Sequence, residues 1–395
     1  MPDAILTLNA GSSSLKFALF ELGEERRLSL KGFIEGIGVD PHLVVRNAEG
    51  GVMTERRWFS GAAGSHEDFL DGLLSWIDDH LDDDRLVAVG HRVVHGGAQF
   101  AAPICVDPAV LEALEKLSPL APLHQPHNLA AIRAVAVVRP GLPQIACFDT
   151  AFHHGQDPVV TRFALPRGLV EQGVRRFGFH GLSYEFVSHR LRALDPDLAA
   201  RKVIVAHLGN GASLCGMRNG RSVDSSMGFT ALDGLVMGTR CGTLDPGVAL
   251  YLLQQQKLTP EALEDLLYRK SGLLGLSGIS SDMRALEASD DPRAAEAIAS
   301  FVHRIVRESG AVASVMGGLD GFVFTAGIGE NAPGIRRSVC QGLGWLGLKL
   351  DEDANGAESR APRRISAPDS KISVWVIPTD EEAMIVEHAA ALVSP

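Results

Sequence analysis

The sequence predicts an α/β fold in two domains, and three observations carry that reading. At 395 residues the chain is longer than one hydrophobic core comfortably serves. Short apolar runs alternate with helix-period segments along its length. A strand–polar tip–strand unit opens the chain and returns about half a chain later, which implies two related halves.

The first unit runs Ile5-Leu6-Thr7-Leu8, then Asn9-Ala10-Gly11-Ser12-Ser13-Ser14, then Leu15-Lys16-Phe17-Ala18-Leu19-Phe20. Two β-rich segments around one Gly and three Ser read as a hairpin with a phosphate-sized mouth. Glycine lets backbone approach a ligand closely, and hydroxyl and turn N–H groups donate to phosphate oxygens. Lys16 adds a positive charge and Asn9 an amide oxygen. No Walker A pattern occurs, and an ordinary polar turn has the same composition. The echo is Val203-Ile204-Val205-Ala206-His207-Leu208, then Gly209-Asn210-Gly211-Ala212-Ser213, then Leu214-Cys215-Gly216-Met217. A third apolar run, Phe322-Val323-Phe324-Thr325-Ala326, empties into a glycine turn at Gly327-Ile328-Gly329-Glu330-Asn331.

Helices fill the gaps. Glu67 to His80 carries Phe69, Leu70, Leu73, Leu74 and Ile77 at helical spacing. Thr259-Pro260-Glu261 opens another, with an N-cap, a proline at N1 and a first-turn acid. Pro292 to about Met316 is a long helical pattern, and Glu381 to Leu392 forms a closing helix. The proline-rich Leu117 to His127 reads as a loop crossing, and Asp195-Pro196-Asp197 as a hinge or connector.

Composition narrows the function. The chain is 46% hydrophobic and 22% charged, an ordinary globular balance. Its net charge of −11 argues against non-specific nucleic-acid binding, so a small anion must be met by locally placed cations. Cys105, Cys147, Cys215, Cys241 and Cys340 form no C-x-x-C pair, which fits reduced thiols in the cytoplasm. The start Met1-Pro2-Asp3 lacks a signal-peptide pattern, and no apolar stretch reaches membrane-spanning length.

Several charged groups sit in apolar or glycine-rich settings. Arg92, in His91-Arg92-Val93-Val94-His95-Gly96-Gly97, follows a buried strand over Leu86 to Gly90, where a guanidinium fork suits a carboxylate or phosphate. Asp149 ends another strand, Ala146-Cys147-Phe148, as a natural magnesium or water ligand. His180 stands between aromatics and glycines, Arg240 sits in Gly238-Thr239-Arg240-Cys241-Gly242, and Thr379-Asp380-Glu381-Glu382 gathers acids at a helix start. Each has a plainer account, as a surface ion pair, a core histidine or a cap. The pairs His124/His127 and His153/His154 have metal-like spacing without a fixed third ligand and read as structural. No nucleophile is activated by a recognisable elbow or basic neighbour, so the joint set fits direct phosphoryl transfer.

These residues resemble the acetate kinase family, within the acetate and sugar kinase, Hsp70 and actin superfamily. Leu6 to Lys16 is similar to the family's first signature, and Gly178-Phe179-His180-Gly181-Leu182-Ser183-Tyr184 to its second. The resemblance implies two actin-like (ribonuclease H-like) domains, each a mixed sheet flanked by helices, with the active site in the cleft between them. Residues 1–149 with 382–395 would form the acetate and metal side, and 150–381 the nucleotide side. The implied reaction is reversible ATP-dependent phosphorylation of acetate to acetyl phosphate. Asn9 and Glu381 would hold magnesium or manganese, with Asp149 near the metal and reacting oxygens. Lys16 would approach the nucleotide phosphates, and Arg92 would hold the acetate carboxylate. His180 and Arg240 would stabilise the transferring group. His207, Leu208, Gly209, Asn210 and Gly211 would hold ATP phosphates. Asp282, Met283 and Arg284, with Gly327, Ile328, Gly329, Glu330 and Asn331, would frame the adenosine. Val94, Leu123 and Phe179 would surround the acetate methyl. The resemblance also implies a homodimer.

Acetate is ionised at neutral pH, so its attack needs no strong base. That makes Asp149 a metal organiser rather than a proton acceptor. Two departures stand out: Ala231 replaces a usual proline beside the methyl pocket, and Thr243 replaces a common aspartate. One methylene of pocket space is worth about 1–3 kcal/mol, so propionate is the rival substrate. The rival from another class is a non-catalytic nucleotide switch of the actin or chaperone type, which has no need for Arg92 and His180 together.

Overall fold

The computed structural model describes residues 3–11, 14–23, 26–37, 39–58, 66–81 and 85–393. The chain divides into two compact units, Met1–Ala151 with Asp380–Pro395, and Phe152–Thr379.

Unit 1 begins with β1 (Asp3–Ala10), β2 (Ser14–Leu22), β3 (Arg26–Glu35), β4 (His42–Asn47) and β5 (Val52–Arg57), an antiparallel run. It continues through α1 (His66–His80), β6 (Arg85–Val93), β7 (Ile104–Cys105), α2 (Pro108–Glu115), α3 (Gln125–Val138) and β8 (Gln144–Phe148). Among the described residues the sheet order is β5-β4-β3-β2-β1-β6-β8-β7, with β1, β6 and β8 parallel. The expected hairpin is present: Asn9 faces Lys16, and the Gly11 N–H donates to the Ser14 carbonyl at 2.7 Å. Ser12 and Ser13, two of the three expected tip hydroxyls, lie outside the described residues.

Two expectations are corrected here. The strand read as Leu86 to Gly90 runs on through Val93, because its parallel ladder with β8 continues from Val89 opposite Gln144 to Val93 opposite Phe148. His91 and Arg92 break the apolar pattern yet remain in the strand, each with a polar partner; His91 Nε2 meets Gln144 Oε1 at 2.8 Å. The segment Leu117 to His127 is not one loop. A 3₁₀ turn covers Ser118–Leu120, and α3 starts at Gln125 with Pro126 in its first turn, where a missing N–H costs nothing.

Unit 2 carries α4 (Pro158–Thr161), α5 (Arg167–Glu171), α6 (Gly181–Leu194), α7 (Pro196–Ala199), β9 (Lys202–Leu208), β10 (Ala212–Arg218) and β11 (Arg221–Ser225). Helices α8 (Pro246–Gln254), α9 (Pro260–Arg269), α10 (Gly272–Ser277), α11 (Met283–Glu287) and α12 (Pro292–Met316) follow. The unit closes with β12 (Gly321–Thr325), α13 (Ala326–Asn331), α14 (Pro333–Gly342), α15 (Glu352–Gly356), β13 (Arg363–Arg364) and β14 (Ser373–Val376). The chain then returns to unit 1 as α16 (Glu381–Val393).

The second sheet, β11-β10-β9-β12-β14-β13, repeats the logic of the first. A central strand, β1 or β9, has an antiparallel hairpin on one side and two parallel strands on the other. That shared topology is what the sequence echo encodes. The packing repeats as well. In unit 1, α1 and α3 lend Leu70, Leu74, Ile77, Ala131 and Val135 to one core with Leu6, Leu8 and Phe17, while α16 packs on β1 and β6. Gly90 admits α16, since a Cβ there would collide with Ile385 Cγ2. In unit 2, Tyr184, Val187 and Leu191 of α6 pack with Val203, Val205 and Met217. Gly216 admits α12 in the same way, 2.5 Å from Val312 Cγ1.

Two further expectations change in unit 2. The glycine turn after β12 is the opening of α13: the chain reverses at Ala326, at φ +64°, and Gly327 and Gly329 are already helical. A left-handed alanine costs about 1 kcal/mol or more, which the surrounding structure must offset. The hinge-or-connector expectation at Asp195 narrows to a connector: it ends α6, and its carboxylate accepts from the Leu198 N–H at 3.0 Å to cap α7.

Burial holds His91, His95 and His153 neutral, each pushed down to about 4. A histidine with a folded pKa below its unfolded value stabilises fully above about pH 6.5, and that stability is lost as pH falls toward 4. Each such group contributes a slope of about 1.4 kcal/mol per pH unit in that window. The stability of the wild type is therefore expected to fall more steeply between pH 6.5 and 5.5 than that of His91→Gln, by about one proton's worth of slope. Urea titrations at several pH values would measure it; equal slopes would refute the assignment.

Candidate active site

In unit 1 the parallel strand ends bring four of the expected residues together. Arg92, near the end of β6, faces Asp149, just past β8: Nε donates to Oδ1 at 3.1 Å and Nη2 to Oδ2 at 2.6 Å. Nη1 reaches Asn9 Oδ1 at 3.4 Å, and Glu381 Oε2 lies 3.7 Å from Nε. Asp149 is only 2% exposed. Burial opposes the guanidinium charge, but Asp149, Glu381 and Glu382 outweigh it and raise the Arg92 pKa further. One arginine thus sits among carboxylates at the start of α16, where Asp380 caps the helix through the Ala383 N–H at 2.9 Å.

This set fits a divalent cation of the magnesium type. Its donors are all oxygen, from an amide and two carboxylates around one guanidinium. Among the described residues no three His, Cys, Asp or Glu side chains cluster as a metal cage. Such a sparse donor set suits an ion that keeps several waters and takes phosphate oxygens. The spacing of His153 has another explanation: Nε2 donates to the Phe179 carbonyl at 2.9 Å, and Nδ1 meets Ser222 Oγ at 2.8 Å.

The loop after β6 is clamped by two amides of α3 that the sequence reading did not single out. Asn128 Oδ1 accepts from the Val94 N–H at 3.0 Å, while its Nδ2 donates to the Ala10 carbonyl at 2.7 Å. Gln125 bonds the His95 backbone at both its N–H and its carbonyl, at 3.1 and 3.0 Å. Val94 is buried, and Leu123 sits half-buried in the turn before α3. Phe179, their expected companion, belongs to unit 2 and is buried there. Lys16 is exposed on β2.

In unit 2 a second group converges on the tip between β9 and β10. His180 is the N-cap residue of α6 in left-handed conformation, φ +59°. Gly178, at φ +76°, positions it: a Cβ there would stand 2.6 Å from the His153 ring. The His180 imidazole stacks on His207, ring centres 4.1 Å apart and planes within 15°. A Cβ on Gly211 would lie 2.8 Å from Arg240 Nη2 and 3.2 Å from His180 Nε2. A guanidinium, an imidazole and a bare glycine therefore share one small space, the makings of an anion seat.

Backbone bonds fix Arg240. Its Nη1 donates to the Ala231 carbonyl at 2.6 Å, its carbonyl accepts from Met237, and the next residue, Cys241, bonds Leu267. The two departures from the family pattern both lie here. Ala231 holds Arg240 through its carbonyl, a group a proline also has. The Thr243 hydroxyl donates to Asp233 Oδ1 at 2.9 Å, a bond that two facing carboxylates could not make.

The remaining expected nucleotide residues are more spread out. Gly238 packs against Asn210, and a Cβ there would stand 3.3 Å from the Ser281 carbonyl, which brings Asp282 close. Asp282 and Arg284 form their own exposed pair at 2.6 Å, and Met283 is buried. Leu208 is buried at the end of β9, and Gly209 lies 3.8 Å from the Ala326 Cβ by the same measure. Gly327 and Ile328 open α13, with Asn331 bonded back to Gly327 at 2.8 Å. The Glu330 carboxylate turns inward to the Thr379 N–H at 3.1 Å, and burial raises its pKa.

Gly178→Ala is expected to cost about 2 kcal/mol, from strained φ and displacement of His153, and to lower the melting temperature. Gly211→Ala, by contrast, should leave the melting temperature nearly unchanged while weakening nucleotide binding about tenfold or more. Calorimetry of the two variants distinguishes a conformational role from a filled seat.

The Acetokinase family model matches residues 4–387. An acetate kinase of Rhodopseudomonas palustris is 56% identical over 396 residues, covering 98% of each chain. One from Rhizobium meliloti is 47% identical, covering 99% of each. Among solved structures, acetate kinase of Porphyromonas gingivalis is 36% identical with a TM-score of 0.87, covering 99% of this chain and 100% of that one. A propionate kinase of Francisella tularensis is also 36% identical, with a TM-score of 0.89 and 98% coverage of both chains. Matched nearly end to end in sequence and fold, the chain belongs to the acetokinase family.

Proposed function

We propose that the protein is an acetate kinase, transferring the γ-phosphoryl group of ATP to acetate to give acetyl phosphate and ADP, in either direction. The observation that carries this reading is the seat at Gly211, where Arg240 Nη2 and His180 Nε2 converge. Phosphoryl transfer asks for little covalent chemistry and mostly for positioning and charge stabilisation. Arg240 and His180 stabilise charge on the transferring group, and the Gly209–Gly211 tip brings backbone to the phosphates. Arg92 binds the acetate carboxylate. Its Nε and Nη2 already hold Asp149, so acetate takes the Nη1 side or displaces Asp149.

Asn9, Asp149 and Glu381 are the residues that would hold magnesium, which when bound neutralises charge on the phosphate oxygens. Asp149 stays ionised beside Arg92 and takes no proton from acetate, whose carboxylate attacks in line as it stands. No described helix is long and apolar enough to cross a membrane, and we place the protein in the cytoplasm. We also propose a homodimer formed through α8, which buries none of its residues and exposes Val248, Leu250 and Tyr251.

Trapping the acyl phosphate with hydroxylamine, with ATP, magnesium and either acetate or propionate, tests the activity. Arg92→Ala and His180→Ala are each expected to lower turnover about 10²–10³-fold while ATP still binds by calorimetry. Full activity in both would refute the site, and absence of acyl phosphate in the wild type would favour a nucleotide switch. Acetate is expected to be preferred. Propionate turnover equal to or above that with acetate would assign the wider pocket to Ala231. Light scattering should give twice the chain mass, and Leu250→Asp should halve it.

A further inference from the structure

The two stacked imidazoles each end, on the side away from the anion seat, in a chain of hydroxyls. His180 Nδ1 lies 2.8 Å from Ser213 Oγ, and Ser213 Oγ lies 2.5 Å from the Tyr184 hydroxyl. His207 Nδ1 lies 2.8 Å from Ser183 Oγ, to which the Thr379 hydroxyl donates at 2.9 Å. Ser183, Ser213 and Tyr184 are fully buried, and none of these links is made by a carboxylate.

A buried hydroxyl must place its proton on an acceptor, and this requirement gives each chain a direction. Tyr184 is sealed in the core, and burial keeps its phenol protonated. With the Tyr184 proton placed on Ser213 Oγ, the oxygen beside it, the Ser213 proton is left to point at His180 Nδ1. In the second chain Ser183 receives from Thr379 and points its proton at His207 Nδ1. An imidazole that accepts at Nδ1 carries its own proton on Nε2.

We propose that Ser213 with Tyr184, and Ser183 with Thr379, are positioning residues that lock His180 and His207 as neutral Nε2–H tautomers. Both rings then present a donor toward the Gly209–Gly211 tip. A carboxylate in place of these serines would do the reverse, since an acceptor-only group favours the opposite tautomer and a charged ring. Stacked at 4.1 Å, two imidazolium rings would repel each other, and the hydroxyl chains avoid that state. The arrangement supplies donors for phosphate oxygens with no proton to surrender during transfer. This assignment rests on the kinase reading only for its purpose, because the tautomers themselves are a property of the resting protein.

The test is two-bond ¹⁵N–¹H correlation spectroscopy on the full chain labelled at histidine, with His180→Ala and His207→Ala to assign the signals. Both rings are expected in the Nε2–H form near pH 7.5. Tyr184→Phe frees the Ser213 hydroxyl and is expected to shift His180 toward a tautomer mixture and lower kcat about tenfold, with the KM for ATP changed less than about twofold. Ser213→Thr, which keeps the hydroxyl, should retain the wild-type tautomer where Ser213→Ala loses it. An Nδ1–H signal for His180 in the wild type, or an unshifted one in a folded Tyr184→Phe, would overturn the proposal. If the tautomers are as assigned but His180→Ala turns over normally, the relay stands and the catalytic reading of His180 falls.

Discussion

Unit 1 depends on a buried carboxylate, Asp149, that a half-buried arginine answers. Removing Arg92 would take the guanidinium from the buried Asp149 carboxylate, at a cost of about 3–5 kcal/mol. That pairing explains why three separate stretches meet where they do. Asn9 comes from the end of β1, Asp149 from just past β8 and Glu381 from the first turn of α16, far later in the chain. The return of α16 to unit 1 packs that helix on β1 and β6 and also delivers the second carboxylate. In unit 2 the corresponding strand ends, of β9 and β12, carry the Gly209–Gly211 tip and the start of α13. Carboxyl ends of parallel strands are where open α/β sheets place their ligands, and the candidate residues of both units gather there.

The parts legible in the sequence were those written in local pattern. The hairpins declared themselves by apolar runs around glycine and serine, α1 and α12 by their spacing, and α9 by Thr259 and Pro260. What escaped depended on partners distant in the chain. His91 and Arg92 look like the end of a strand until Gln144 and Asp149 are beside them. Gln125 and Asn128 look like loop polarity until their amides meet the backbone after β6. Ala326 gives no sign that it, rather than the glycine after it, takes the left-handed turn.

The candidate residues were legible for a different reason: they lie in short motifs, and a resemblance supplied their roles. Geometry adds what no motif states. Met283 is inside the core, Glu330 is turned inward, and Arg92 is already occupied on one face. The supporting residues, Ser213, Thr379 and Arg176, carry no signal beyond being polar. Arg176, for example, braces the loop before Arg240 by bonding Asp233 and the carbonyls of Ser225 and Met227.

The two-pronged grip of Arg92 on Asp149 has a consequence for energetics at the scale of the cell. A carboxylate held by both oxygens is a poor place to park a proton, and the acceptor arrives already ionised. The Arg92–Asp149 pair is therefore no proton carrier that would have to be reset after each turnover. As for any catalyst, net flow in the phosphorylation of acetate follows mass action among its four solutes, and no proton held by this pair enters that balance.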